Sequence, residues 1–105
     1  SVLGFSQGVA TACRWAMHGQ TTFDRIVLWG GSLPPELVAA DMRIRWSDST
    51  VLLVHGKQDK VVTDAALASN EAKLHESGVR YREILFEGGH ALDGLTLKRI
   101  LDRGQ

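Results

Sequence analysis

The sequence has little of what would cross-link a protein, anchor it or charge it strongly. One cysteine, Cys13, occurs in 105 residues, so no intramolecular disulfide can form and no oxidising compartment is indicated. Twelve basic residues balance twelve acidic ones, which argues against nucleic acid or an anionic membrane as a partner. No apolar run approaches the roughly 18 residues of a membrane-spanning helix. The first residues lack a signal-peptide pattern, so we expect a cytoplasmic protein.

Chain breakers and repeats are also scarce. The two prolines are adjacent, at Pro34 and Pro35, and no internal repeat, low-complexity tract or flexible linker interrupts the sequence. A chain of 105 residues is long enough for one domain with its own core. No cluster of His, Cys and carboxylate residues has metal-ligand spacing, and no phosphate-binding glycine loop occurs. We therefore expect neither a metal ion nor a cofactor.

Short apolar runs alternate with helix-like segments along the whole chain. The predicted strands cover 2–5, 26–29, 51–54 and 81–86. The predicted helices cover 7–18, 36–40 and 63–77, and a last helix starts at Asp93 or Thr96 and ends before Gly104. Residues 42–49 are predicted to be irregular. Strands separated by helices are most simply parallel, with right-handed crossovers. The prediction is a three-layer α/β/α domain over residues 1–105, with a mainly parallel sheet. Its chemistry should collect at the carboxyl ends of the strands.

The segment Gly4-Phe5-Ser6-Gln7-Gly8 fits the G-x-S-x-G pattern of a nucleophile turn between a strand and a helix. Its two glycines are expected to remove Cβ atoms that would collide where the strand folds back into the helix. Ser6 would then be exposed at a helix N-terminus, where the Gln7 N–H would serve as one oxyanion donor. The pattern alone is weak, because glycine and serine are common in turns.

Two further candidates follow the third and fourth predicted strands. Asp59 ends the loop HGKQD, and His90 ends the segment EGGH. His90 would accept the proton of Ser6, and Asp59 would orient His90 and stabilise its charge. A lone aspartate or histidine is more often a turn or packing residue. The order Ser, Asp, His, with each residue at the carboxyl end of a predicted strand, favours a triad.

Other residues of reactive types have simpler predicted roles. Asp64 and Asp93 are rival acids that are predicted to cap helices. Cys13 lies on the apolar face of a predicted helix, which favours packing over nucleophilic use. The remaining histidines are predicted to be structural or solvated, namely His18, His55 and His75. The tryptophans are predicted to pack in the core or in loops, with an acyl pocket as the alternative: Trp15, Trp29 and Trp46.

Together, GFSQG, HGKQD and EGGH resemble the phospholipase/carboxylesterase family of α/β hydrolases, which includes the acyl-protein thioesterases. The resemblance extends over essentially the whole chain, and it departs at Val9, where family members usually have a second glycine. It implies that Ser6 is the nucleophile, Asp59 the acid and His90 the base. The implied reaction is hydrolysis of small-molecule carboxylic esters or thioesters through an acyl-enzyme, with no cofactor.

The resemblance is to the C-terminal half of a family member. In the family, four strands precede the nucleophile strand, and one of the preceding loops supplies a second oxyanion donor. The strand 2–5 would therefore lie at an open sheet edge, which something should cover. We expect the other half of a longer protein there, with a separate chain or a homodimer as alternatives. A non-catalytic module that acts by association, and a peptidase or other hydrolase on the same fold, remain alternative functions.

Overall fold

In the computed structural model, which describes residues 1–19 and 22–103, four strands alternate with four helices. The strands β1 to β4 are Val2–Phe5, Arg25–Trp29, Thr50–Gly56 and Arg80–Phe86, and the helices α1 to α4 are Gly8–His18, Ala39–Arg45, Asp64–Ser77 and Gly94–Arg103. Within these residues, no helix combines the length and the apolar character that a membrane crossing requires.

All four strands are parallel and stand in the order β1-β2-β3-β4. Each helix follows one strand and, except for α4, leads into the next, as the alternation of apolar runs predicts. The prediction of an α/β fold with a parallel sheet is confirmed. Because all four strands run in one direction, the loops that follow them lie along one edge of the sheet. Ser6, Asp59 and His90 lie in three of these loops.

The sheet separates two hydrophobic clusters, because neighbouring residues of a strand point to opposite faces. On one face, Ile26 and Leu28 pack with buried residues of α1, α2 and α3, such as Val9. On the other face, Val27 and Trp29 pack with Ile100 of α4. The central strands are buried on both faces, as an apolar run without alternation predicts. The layers are therefore three helices, the sheet and one helix.

The helix ends follow the capping chemistry of the sequence. The Thr63 hydroxyl oxygen accepts a hydrogen bond from the Ala66 N–H at 3.1 Å at the start of α3, and Gly78 ends that helix with φ +75°. At the start of α4, the Asp93 carboxylate accepts hydrogen bonds from the N–H (2.9 Å) and hydroxyl (2.6 Å) of Thr96. Gly104, which was expected to follow α4, lies outside the described residues.

The second helix is where the sequence-based expectation was wrong. A helix was expected over 36–40 with irregular structure after it, but α2 covers Ala39–Arg45. The chain instead turns at Pro34, whose carbonyl accepts the Leu37 N–H at 3.2 Å. Met42 and Trp46, four residues apart, are both buried, and this spacing is the signal that places the helix later.

Candidate active site

Ser6 lies on a strained turn directly after β1. Its φ is +56°, and among the described residues it is the one non-glycine residue with a positive φ. L-residues rarely adopt this conformation, and such strain often occurs at functional sites. Two backbone hydrogen bonds hold the turn: the Ser6 N–H donates to the Trp29 carbonyl at 2.8 Å, and the Ser6 carbonyl accepts from the Val9 N–H at 3.1 Å. The serine is thereby tied both to the neighbouring strand and to the helix that follows it.

The ring of His90 bridges the other two predicted site residues. His90 Nε2 lies 2.9 Å from Ser6 Oγ, and His90 Nδ1 lies 2.9 Å from Asp59 Oδ2. The ring also packs against Phe5, with 5.1 Å between ring centroids. The structure thus brings together three residues that are up to 84 positions apart in the chain. This is the connectivity that a serine, a base and an orienting acid require.

The Asp59 carboxylate is held for His90 by its own loop. Its Oδ1 atom accepts the N–H groups of Val61 at 2.8 Å and Val62 at 3.2 Å, which leaves Oδ2 to face the imidazole. Burial raises the pKa of Asp59, but the hydrogen bond from His90 and those two N–H groups outweigh burial and lower the pKa overall. Asp59 is therefore ionised at neutral pH and can stabilise a positive charge on His90.

The loops after β3 and β4 are joined to each other, which sets the distance between Asp59 and His90. The Gln58 N–H donates to the Gly88 carbonyl at 2.9 Å, and the Gly88 N–H donates back to the Gln58 side chain at 2.6 Å. A Cβ on Gly56 would lie 2.2 Å from the Gly88 carbonyl oxygen, so the two loops touch through their backbones. From the sequence, Gly56 and Gly88 were interpreted only as residues that bound strands, and Gln58 was given no role.

A third loop, after β2, packs beneath the predicted triad. Gly30 has φ +67°, and a Cβ there would lie 3.4 Å from the His90 ring and 3.6 Å from Asp59 Oδ2. These are ordinary van der Waals distances, so it is the left-handed backbone rather than lack of space that favours glycine at this position. Gly30 and Gly31 directly follow the predicted strand 26–29, where a pair of glycines indicates only a strand end, so the contact with the site was missed from the sequence.

Gly31 contacts the serine turn itself. A Cβ on Gly31 would lie 2.4 Å from the Ser6 carbonyl oxygen. The buried Asn70 of α3 holds this loop, because its amide donates to the Gly31 carbonyl at 3.1 Å and its Oδ1 accepts the Leu33 N–H at 3.0 Å. Asn70 is 3% exposed. Asn70 was missed from the sequence, because its burial is visible only in the structure.

The two glycines of the G-x-S-x-G segment do different work. A Cβ on Gly4 would lie 2.3 Å from the Gly8 carbonyl oxygen, so Gly4 is required by the turn, as expected. A Cβ on Gly8 would meet nothing within 4 Å. The expectation that both glycines avoid a collision was therefore wrong for Gly8. Gln7, the predicted oxyanion donor, is the residue directly before the first turn of α1, with φ −64°.

The rival acids and the lone thiol lie elsewhere. Asp93 caps α4, and Asp64 lies in the first turn of α3, where Thr63 is the capping residue. Cys13 is fully buried, and burial raises its thiol pKa to about 12, so it is not a nucleophile in the folded chain. His55 is buried at the end of β3, where burial lowers its pKa.

The tryptophans and the other histidines lie outside the triad. Trp29 and Trp46 are in the core, and the Trp29 ring N–H donates to the Ala91 carbonyl at 3.1 Å, just after His90. Trp15 is exposed and packs edge-on against Phe23. His18 and His75 are exposed. Among residues 1–19 and 22–103, no group of three or more His, Cys, Asp or Glu side chains could hold a metal ion.

Four parallel strands with helical crossovers, and a serine on a strand-to-helix turn, define the α/β-hydrolase class. The chain belongs to the phospholipase/carboxylesterase family, whose sequence profile matches residues 1–102. This confirms the family resemblance of GFSQG, HGKQD and EGGH. A search of curated proteins returned no significant match.

Solved structures of similar fold include plant and bacterial proteins. SOBER1 of Arabidopsis thaliana has a TM-score of 0.74 and 23% identity, and the match covers 95% of this chain and 49% of SOBER1. A carboxylesterase of Bacillus cereus has a TM-score of 0.73 and 16% identity, with 96% of this chain and 46% of the carboxylesterase covered. Acyl-protein thioesterase 2 of Zea mays has a TM-score of 0.70 and 24% identity, with 98% of this chain and 53% of the thioesterase covered. At these identities the likeness concerns the fold. The chain spans about half the length of the proteins it matches.

Proposed function

We propose that this chain carries the nucleophile, base and acid of a serine hydrolase that cleaves carboxylic esters or thioesters through an acyl-enzyme. The observation that carries the proposal is the His90 ring, which has one nitrogen 2.9 Å from Ser6 Oγ and the other 2.9 Å from Asp59 Oδ2. Membership of the phospholipase/carboxylesterase family supports ester hydrolysis as the reaction class.

In the proposed reaction, Ser6 Oγ attacks the carbonyl carbon of the substrate while His90 Nε2 takes the hydroxyl proton. The tetrahedral intermediate collapses, the bond to the alcohol or thiol breaks, and His90 gives the proton to the leaving group. Water then attacks the acyl-enzyme with His90 again as base, which releases the acid and restores Ser6. Asp59 stays ionised throughout and stabilises the imidazolium.

The proposed oxyanion donor of this chain is the Gln7 backbone N–H. Gln7 directly precedes α1, where unpaired N–H groups and the helix dipole favour a developing negative charge. The family resemblance implies a second donor from a loop before the nucleophile strand. Loss of one such donor typically lowers turnover by about 10²–10³, so the rate of acylation depends on whether that loop is supplied.

The second candidate function is a non-catalytic module that acts by association, and the position of β1 favours it. β1 pairs only with β2 among the described strands, and Leu3 is exposed on it. An edge strand of this kind is a surface for another strand. The missing half of a longer protein, a separate chain or a second copy could cover it. That residues 1–105 form one partial domain, and that the protein is cytoplasmic, stay predictions.

Reaction with a fluorophosphonate probe, followed by intact-mass and peptide mapping, tests the function. We expect one adduct, on Ser6, that is absent in Ser6→Ala and strongly slowed in His90→Ala. Ser47→Ala, which removes an exposed serine far from His90 in the chain, should label like the original protein. A folded protein that is never labelled, or that is labelled equally in Ser6→Ala, would refute the catalytic role and favour the association module.

A further inference from the structure

A second concave site lies between α4 and the sheet, away from Ser6 and His90. It is a cavity of about 390 Å³, lined by residues near the beginnings of β2 and β3 and by the middle of β4. Its lining combines three guanidinium side chains with apolar ones, namely Arg25, Arg82, Arg99, Leu52, Ile84 and Ile100. It shares no residue with the candidate active site.

The strand register explains why the three arginines meet. Val27 lies beside Leu52, and Leu52 lies beside Arg82, so the side chains of these three residues are on the same face of the sheet. Arg25, two residues before Val27, points to the same face. Helix α4 covers this face and contributes Arg99.

Arg25 also ties the sheet to the helix. Its guanidinium donates to the Ile100 carbonyl at 2.6 Å. Its Nε atom is buried and has no hydrogen-bond partner among the described residues. The hydrogen bond to Ile100 therefore holds the side chain of Arg25 against α4 at the wall of the cavity.

The arginines of the cavity have few acidic neighbours. Asp93, just before α4, interacts electrostatically with Arg99. In the described part of the chain, no carboxylate forms an ion pair with Arg25, Arg82 or Arg99. Glu83 is the one acidic residue in the lining, but it neighbours Arg82 on the strand and its side chain hydrogen bonds with Glu71 of α3, on the other face. Three cations around one concavity give it a positive potential that attracts an anion, and solvent screens the repulsion between the exposed Arg82 and Arg99.

We propose that this cavity binds a small phosphate monoester with an apolar substituent. The planar guanidinium fork matches phosphate oxygens, and several forks suit a doubly charged anion better than a single carboxylate. Leu52, Ile84 and Ile100 provide the apolar wall for the substituent. The volume lies in the range of roughly 300–1,000 Å³ that is usual for small-ligand pockets.

Calorimetric titration of the purified protein with phenyl phosphate at low salt tests the proposal. We expect one site per chain, weakened about tenfold by Arg82→Gln and by Arg99→Gln, because each removes a charge-assisted pair. Arg80→Gln is the matched control, since Arg80 lies on the same strand and face but outside the lining. Inorganic phosphate should bind more weakly, because it lacks the apolar group. Equal affinity for benzoate, or equal weakening by Arg80→Gln, would overturn the assignment.

Protection from phenylglyoxal provides a readout that needs no variant. The reagent modifies arginines, and peptide mapping gives the rate at each position. Phenyl phosphate should slow modification of Arg82 and Arg99 and leave Arg80 unchanged. Uniform protection of all three, or protection of none in a folded sample, would show that the anion does not occupy this cavity.

Discussion

The Ser6 carbonyl oxygen lies 2.4 Å from the position that a Cβ on Gly31 would occupy. The turn that presents the serine therefore rests directly on the backbone of the loop after β2. The serine turn after β1 and the loop after β2 are distant in sequence, and the stability of the turn depends on their contact.

Gly31→Ala should displace the serine turn, because a backbone oxygen cannot move aside as a flexible side chain can. We expect a loss of about 1–3 kcal/mol in the free energy of unfolding and a fluorophosphonate labelling rate at least about tenfold lower. Gly89→Ala is the control, since a Cβ there would meet its nearest atom at 4.0 Å. Unchanged labelling in a folded Gly31→Ala protein would contradict the close contact.

Gly4→Ala and Gly8→Ala should differ sharply, although both lie in the same G-x-S-x-G segment. A Cβ at Gly4 would collide with the backbone of Gly8 and Val9, whereas a Cβ at Gly8 meets open space. We expect Gly4→Ala to be strongly destabilised. Gly8→Ala should be unchanged or stabilised by up to about 1 kcal/mol, since alanine favours the first turn of α1. Thermal or urea unfolding measures both; equal destabilisation would refute the distinction.

Asn70→Ala should loosen the loop under the serine. It removes two hydrogen bonds, to Gly31 and Leu33, and leaves both backbone groups buried. We expect a cost of about 2–3 kcal/mol, together with slower labelling of Ser6. Asn70→Asp keeps an acceptor for the Leu33 N–H but sets a buried carboxylate oxygen against the Gly31 carbonyl, so at neutral pH it should be destabilised at least as much as Asn70→Ala. Ser69→Ala, on the exposed side of the same helix, should behave like the original protein in both measurements.

The pair Glu71 and Glu83 should make stability depend on pH. The hydrogen bond with Glu71, followed by burial, raises the pKa of Glu83 from an ordinary value of 4.5 to about 7. The folded state then holds a proton that the unfolded state releases. The associated stability is present below pH 4.5 and is lost as pH rises through about 7. Because Glu83 is exposed, we expect an effect of only about 1 kcal/mol.

The measurement is the unfolding midpoint across that pH range, for the original protein and for Glu83→Gln. The variant should lose less stability as pH rises, because it carries no ionisable group at the pair. Glu76→Gln on α3 serves as the control and should keep the original slope. An identical slope in Glu83→Gln would mean that the pair does not share a proton.

The sequence by itself determined the layered architecture and the order of the three site residues. Apolar runs separated by helical periodicity require parallel strands with crossovers, and all parallel strands deliver their following loops to one sheet edge. That argument placed Ser6, Asp59 and His90 near each other before any distance was known. Local capping chemistry likewise predicted that α3 starts at Thr63 or Asp64 and stops at Gly78, because a cap is an interaction within a few residues. The structure selects Thr63 as the capping residue.

Only the tertiary structure decided which groups support that site. Three contacts join segments that are distant in the chain, and no local pattern records them. They are the contact of Gly31 with Ser6, the hydrogen bonds of Asn70 to Gly31 and Leu33, and the hydrogen bond of Arg25 to the Ile100 carbonyl. The position of α2 follows from the burial of Met42 and Trp46 rather than from the prolines; their four-residue spacing is visible in the sequence, but their burial is not. Gly4 and Gly8 show what a sequence motif cannot reveal. They are identical residues of one motif, four positions apart, but packing leaves no room for a Cβ at Gly4 and leaves open space for one at Gly8.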